Sequence, residues 1–336
     1  MTSNDPIFAP EAAPAKRRRR RWPWVIVFVL VGVLVVIAAV AGSYLLRLSS
    51  SYEKAETLPV TEVFPTVRPT ASNPEAVNIL MLGSDSRSGL DGGLDSIRGQ
   101  RADTMLLVHI PGDRSGVQVI SFMRDNWVEI PGHGEQKLNA SLALGGVPLL
   151  VETLEGIIDV PIDHVAITDF EGFKGLTEAL DGVSVGNSIP FESDGFTFEK
   201  GVVDMSGDKA LAFVRARYPF TDGDYQRVRN QQSFIKGVLD KMLSRETLTD
   251  PGRIAASVDA ISPYLTVDAG LDVGTIGSLA LSLREVRDSD VLFLTAPTTG
   301  TGMVGDQSVV FPDWEKLGAL SEALKNDTVP EFAAAG

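Results

Sequence analysis

Apolar and polar positions divide the chain into one long apolar run followed by shorter alternating and helical segments. No charged residue occurs from Trp22 to Leu46. A helix over residues 25–46 would rise about 33 Å, enough to cross a hydrocarbon core. Trp22, Trp24 and Tyr44 stand where interfacial anchors belong. Residues 47–75 lose any period and carry Pro59, Pro65, Pro69 and Pro74, which predicts a semi-extended tether.

Beyond residue 76, runs of strand length alternate with helical periods. Strands are predicted at 77–82, 105–110, 117–122, 164–168, 183–185 and 291–294, and helices at 141–160, 170–180, 251–261, 273–286 and 313–324. Alternation through Leu211, Phe213, Arg215 and Arg217 predicts one more strand, with both arginines on one face. A turn at Asp222-Gly223 leads into a helix that puts Asp224, Arg227 and Gln231 on one side and Arg229 on another. Strands alternating with helices indicate a layered α/β domain over 76–330.

Charge fixes the orientation. Residues 1–21 hold six basic groups (Lys16 and Arg17 to Arg21) against Asp5 and Glu11, a net +4 in a chain of -14, so the rest carries -18. Positive charge beside the apolar run predicts a cytoplasmic tail, a single-pass anchor at 22–46 and an extracytoplasmic domain. A cleaved signal peptide is the rival, since Ala39-Val40-Ala41 resembles a cleavage site, but its n-region would exceed twenty residues. Six charges with no folded module behind them do not make a nucleic-acid site. The chain has no cysteine, which excludes disulfides and thiol chemistry.

Guanidinium groups concentrated in an acidic chain suit phosphate oxygens, which accept bidentate hydrogen bonds; a salt-bridged corner is the plain alternative. Polar clusters at Gly83-Ser84-Asp85-Ser86-Arg87, at Arg101-Ala102-Asp103-Thr104 and at Arg124-Asp125 flank predicted strands, where open α/β sheets bind ligands. Asp85 and Asp103 are hard ligands suited to Mg²⁺. Gly182-Val183-Ser184-Val185-Gly186 matches a nucleophile elbow, but His109, His133 and His164 all precede it, so no later histidine completes a triad.

These clusters, with Asn78 to Arg87, Arg101 to Ile110, Ser121 to Asp125, Lys137-Leu138-Asn139-Ala140 and Leu211 to Arg217 followed by Asp224, Arg227 and Gln231, resemble the LytR-CpsA-Psr family of cell-wall glycopolymer ligases over most of 75–330. Met123 stands where that family usually has proline, which should alter only local backbone preference. Asn230 stands where it often has arginine, one positive charge fewer. The resemblance implies a three-layer α-β-α sandwich around a mixed central sheet, with an apolar groove for a polyprenyl chain. It implies transfer of a glycopolymer from a polyprenyl-diphosphate carrier to peptidoglycan, at a cell membrane and without nucleic acid. Asp85 and Asp103 would hold Mg²⁺ or Mn²⁺. Arg124, Arg215, Arg217 and Arg227 would grip the pyrophosphate, with Asp224 and Gln231 orienting them or touching phosphate. A pyrophosphatase and a polyprenyl-phosphate-binding regulator are the alternatives.

Overall fold

The computed structural model describes residues 46–84, 102–217, 220, 223–242, 244–248 and 250–335, and those from Arg47 onward form one compact unit. The basic tail, nearly all of the predicted anchor, Asp85, the 88–100 loop, Arg101 and Asp222 lie outside the described residues.

Strands β1 (Glu56–Leu58), β2 (Val77–Ser84), β3 (Ala102–Ile110) and β4 (Val117–Phe122) come first, then the hairpin β5 (Trp127–Ile130) and β6 (Gly134–Lys137). Helix α1 (Ala140–Ile158), β7 (His164–Thr168) and α2 (Phe170–Ala179) precede four short strands, β8 (Val183–Asn187), β9 (Phe191–Ser193), β10 (Phe196–Phe198) and β11 (Gly201–Met205). Next are α3 (Gly207–Arg215), α4 (Gly223–Met242), α5 (Pro251–Ile261), β12 (Leu265–Asp268), α6 (Val273–Ser282) and β13 (Val291–Thr295). The hairpin β14 (Thr298–Val304) and β15 (Gln307–Pro312) leads to α7 (Trp314–Lys325) and α8 (Val329–Ala335).

Seven strands form a mixed sheet in the order β1-β12-β7-β2-β3-β4-β13. Alternate positions of its strands (Leu80, Leu82, Met105, Leu107, Ile120, Phe122, Val165 and Ile167) share one core with α1 and with Leu317, Leu320 and Leu324 of α7. Helix α1 supplies Val147, Leu150, Val151 and Leu154, each buried side chain contributing about 1.5–3 kcal/mol. This is a core helix, although its length and apolarity would also suit a membrane. Gly146 breaks it with φ 72 and ψ -162, a region essentially closed to side chains, and Pro148 opens the second half. A second core joins α2, α3 and α4 with β8, β9 and β10 through Phe191, Phe198, Phe213 and Phe234.

Two expectations are corrected. Residues 211–217 do not form a strand: α3 runs through Arg215. Gly207, Ala210, Phe213 and Val214 are buried at helical spacing, and the Lys209-to-Phe213 stretch is rich in helix formers, so a four-position alternation loses to the longer period. Residues 47–75 are not a tether either. β1 pairs in parallel with β12, and Leu58 and Val63 lie in the main core. Arg68 ties the segment down, donating to Glu155 Oε1 at 2.6 and 2.9 Å and to the Ile162 carbonyl. Short apolar pieces between prolines thus find partners that lie far away in sequence.

Candidate functional site

The site gathers at the sheet end where β2 and β4 finish and β3 begins. β4 runs into Met123-Arg124-Asp125, and that turn is clamped on both sides. Val310 N donates to the Asp125 carbonyl at 2.9 Å, and Asn139 N to the Arg124 carbonyl at 3.0 Å. Met123 is buried against Val228 of α4 and Val310 of β15. It therefore does more than set local backbone preference, because its side chain locks hairpin and helix to the turn.

Two carboxyls stand at the centre. Arg217 Nε lies 3.0 Å and Arg227 Nη2 3.1 Å from Asp224 Oδ1. Arg124 Nε lies 3.6 Å and Lys137 Nζ 3.4 Å from the two oxygens of Asp125. Asp125 and Asp224 stand close enough to influence each other, and the Arg217 charge acts on both, so the four cations and two acids form one network. Burial pushes the Asp224 carboxyl up, and Asp125 adds to this against Arg227 and Arg217. Burial would raise Asp125 too, but Asp224 and the Arg124, Lys137 and Arg217 charges outweigh it and hold it below the usual range. Four cations against two carboxyls leave an excess of positive charge, an anion site in a chain of net charge -14.

Of the residues expected at the site, Arg124, Arg217, Asp224 and Arg227 are brought together. Gln231 is an orienting residue: its amide donates to the Val214 carbonyl at 3.4 Å, tying α4 to the end of α3. Arg215 is exposed as the last residue of α3. Arg229 points elsewhere, its guanidinium donating to Gln226 Oε1 at 2.7 and 2.8 Å. Asn230 is 2% exposed, accepts from Gln226 and donates to the Phe213 carbonyl. It is a helix-to-helix spacer, and its amide makes no contact with the charged network among its described bonds. The motifs that hold Asp125 and Lys137 reveal no role for either; only the fold sets the acid between the β4 turn and α4.

The backbone of Asp103 lies on β3 beside the end of β2, where Gly83 pairs with Thr104 and Ser84 with Ala102. Asp85 follows Ser84 but lies outside the described residues. Among the described residues, no group of three or more metal-ligating side chains occurs. Ser184 sits on β8 and donates to Asp204, in a strand and not an elbow.

Residues 45–326 match the LytR_cpsA_psr family. Over 307 residues the chain is 29% identical to the polyisoprenyl-teichoic acid–peptidoglycan teichoic acid transferase TagU of Enterococcus faecalis, covering 88% of this chain and 94% of that protein. Over 204 residues it is 36% identical to TagU of Bacillus cereus (strain AH820), covering 60% of this chain and 65% of that protein, just under two thirds of its length. The crystal structure of B. subtilis TagV shares the fold with a TM-score of 0.64 at 23% identity, covering 76% of this chain and 98% of that one. The protein gbs0355 from Streptococcus agalactiae gives the same score and identity over 76% of this chain and 88% of that one.

Proposed function

The chain belongs to the LytR-CpsA-Psr family, and from that premise we propose that it transfers a glycopolymer, with its linking phosphate, from a polyisoprenyl-diphosphate carrier to a peptidoglycan hydroxyl. The observation that carries this reading is the network of Arg124, Lys137, Arg217 and Arg227 around the Asp125–Asp224 pair. The names of the TagU relatives supply the substrate class. We take the tail and the 22–46 run as a cytoplasmic segment and single-pass anchor, with the domain outside the cell membrane.

In the reaction, the acceptor oxygen bonds to the polymer-bearing phosphorus while the bridging P–O bond breaks. Isoprenyl monophosphate leaves with the bridging oxygen, and the proton of the acceptor hydroxyl passes to water. Negative charge grows on the bridging oxygen, and fixed guanidiniums stabilise it without reorganising. Asp224 keeps Arg217 and Arg227 on one side, and Asp125 keeps Arg124 and Lys137 on the other. Asp85 and Asp103 would hold Mg²⁺ or Mn²⁺, whose charge would neutralise diphosphate oxygens.

The sheet would be the middle layer of an α-β-α sandwich whose second face seats the isoprenoid. On that face Met81 of the central β2 is 42% exposed, with Ile79, Val108 and Phe293 only half-buried. An open apolar strip on a central strand suits a hydrocarbon chain. Mass spectrometry of the full chain extracted from membranes tests the substrate class. Copurified polyisoprenyl phosphate or diphosphate is expected, and a consistently lipid-free protein that also fails to take up added lipid would refute the reading.

A further inference from the structure

The two faces of the sheet reach the charged network from opposite sides. Gln232 of α4 donates to Ser121 Oγ at 2.9 Å and to the Leu294 carbonyl at 3.1 Å. Ser121 alternates with the core residues Ile120 and Phe122, so α4 lies on the face that holds Met81. Helices α1 and α7 lie on the other face and run in the same direction. α1 begins three residues after Lys137, and α7 begins where Asp313 N donates to the Pro297 carbonyl at 3.1 Å, just past β13. At their far ends Lys325 Nζ reaches Asp159 Oδ2 at 2.6 Å. Phosphoryl transfer places the attacking and leaving oxygens roughly in line. A leaving isoprenyl phosphate on the Met81 face therefore requires an acceptor that arrives from the side where α1 and α7 begin.

The hairpin that leads into α7 is built from neutral groups. No charged residue occurs between Asp290 and Asp306. β14 is the outer strand, and among the described residues its second edge pairs with no other strand. Thr299, Thr301 and Met303 are exposed at alternate positions, with Gly300 and Gly302 between them. Gly302 has to be small, because a Cβ there would meet the Phe311 ring at 2.6 Å. Trp314, two residues beyond β15, is 56% exposed at the head of α7. Two bonds hold this surface to the site. Val310 N donates to the Asp125 carbonyl at 2.9 Å, and the hydroxyls of Tyr225, next to Asp224, and Thr298 lie 2.7 Å apart.

We propose that β14 and Trp314 form the acceptor subsite, which holds sugar rings of a peptidoglycan glycan strand. An indole left in solvent offers a flat apolar face to the C–H groups of a pyranose ring, and threonine hydroxyls and free strand-edge amides bond its hydroxyls. An ionic ligand finds no counter-charge along β14, whereas hydroxyl-rich rings find both donors and acceptors. The inference takes its acceptor from the transfer reading above and adds the surface that presents it to the arginines.

Full-length protein in vesicles is mixed with glycan strands freed of their stem peptides, and strands cosedimenting with the vesicles are counted. The native chain is expected to retain them, and Trp314→Ala and Thr301→Val each to lose at least about fivefold in affinity, with Trp314→Phe restoring most of it. Both side chains are exposed, so Tm should stay within about 2 °C; Thr301→Val carries the test alone if Trp314→Ala does not fold. In the transfer assay the acceptor KM should rise by the same factor while the KM for the lipid carrier holds. Equal strand affinity in the native chain and both variants overturns the proposal. Retention that requires the stem peptides assigns the surface to peptide and overturns it too. Trp314-dependent strand binding in a protein that transfers nothing supports the subsite and refutes the transfer reading. Transfer with an unchanged acceptor KM in both variants refutes the subsite alone.

Discussion

Arg217 and Arg227 meet on a single oxygen: Asp224 Oδ1 lies 3.0 Å from the Nε of one and 3.1 Å from the Nη2 of the other. One residue at the start of α4 thus sets the spacing between a guanidinium beyond α3 and one inside α4. That spacing is what a diphosphate would read.

Replacing this residue separates positioning from folding. Asp224→Asn keeps the shape and removes the charge that spaces the two guanidiniums, so transfer should fall about 100-fold, roughly 2.7 kcal/mol, with little change in Tm. Asp224→Ala leaves Arg227 buried without this carboxylate and should in addition cost about 3–5 kcal/mol of stability. Rate measurements paired with thermal unfolding distinguish the two effects. Unchanged transfer in Asp224→Asn would remove Asp224 from the site.

Asn230 gives the opposite pattern. Its side chain is buried between α3 and α4, so restoring the family's common arginine should not strengthen the anion site. Asn230→Arg should lower stability by about 2–4 kcal/mol through a buried charge and a lost bond to Phe213. Denaturant titration measures it, and a gain in lipid-diphosphate affinity at unchanged stability would contradict the placement.

Arg68→Ala tests whether residues 47–75 belong to the fold. Glu155 is buried and holds Arg68 and the Ile162 amide on the same oxygen. Removing the arginine should destabilise the domain by about 3–5 kcal/mol, lowering Tm by roughly 5–8 °C at this domain size. A tether would tolerate the change.

Acid should loosen the sheet end near α6. Asp268 is buried; burial alone would raise its carboxyl, but His164 and the Val165 and Gly270 amides outweigh this and hold it below its ordinary 3.8. A carboxylate depressed in the fold contributes stability above pH 3.8 that is lost as pH falls through the lower folded value. Tm measured from pH 7 down to 3 should therefore fall in the native chain, and Asp268→Asn should start about 1–3 kcal/mol lower and fall less steeply. Parallel curves would contradict the assignment.

Local pattern made most of the central sheet legible. Strands at 77–82, 117–122, 164–168 and 291–294 and the α5 helix needed only apolar runs and turn residues. β1 was illegible because three residues, Glu56–Leu58, acquire their meaning from a partner 210 positions later. The arginines stood out as residues, but their supports did not. Asp125 and Asp224 lie 99 positions apart, and their contact depends on the Met123–Val228–Val310 cluster closing the turn onto α4. Residues 211–217 look like a strand because Leu211, Phe213, Arg215 and Arg217 alternate within a stretch too short to separate period 2 from period 3.6.

The central claim is transfer by the arginine network, and one assay meets it directly. Full-length protein in vesicles is given polyisoprenyl-diphosphate-linked glycopolymer and peptidoglycan, and polymer on sedimented peptidoglycan is counted beside polymer released to water, for the native chain and for Arg217→Ala. The account predicts covalent polymer on peptidoglycan from the native chain and a loss of at least about 100-fold in Arg217→Ala. Phosphorylated polymer appearing only in solution, or transfer undiminished in Arg217→Ala, would contradict it.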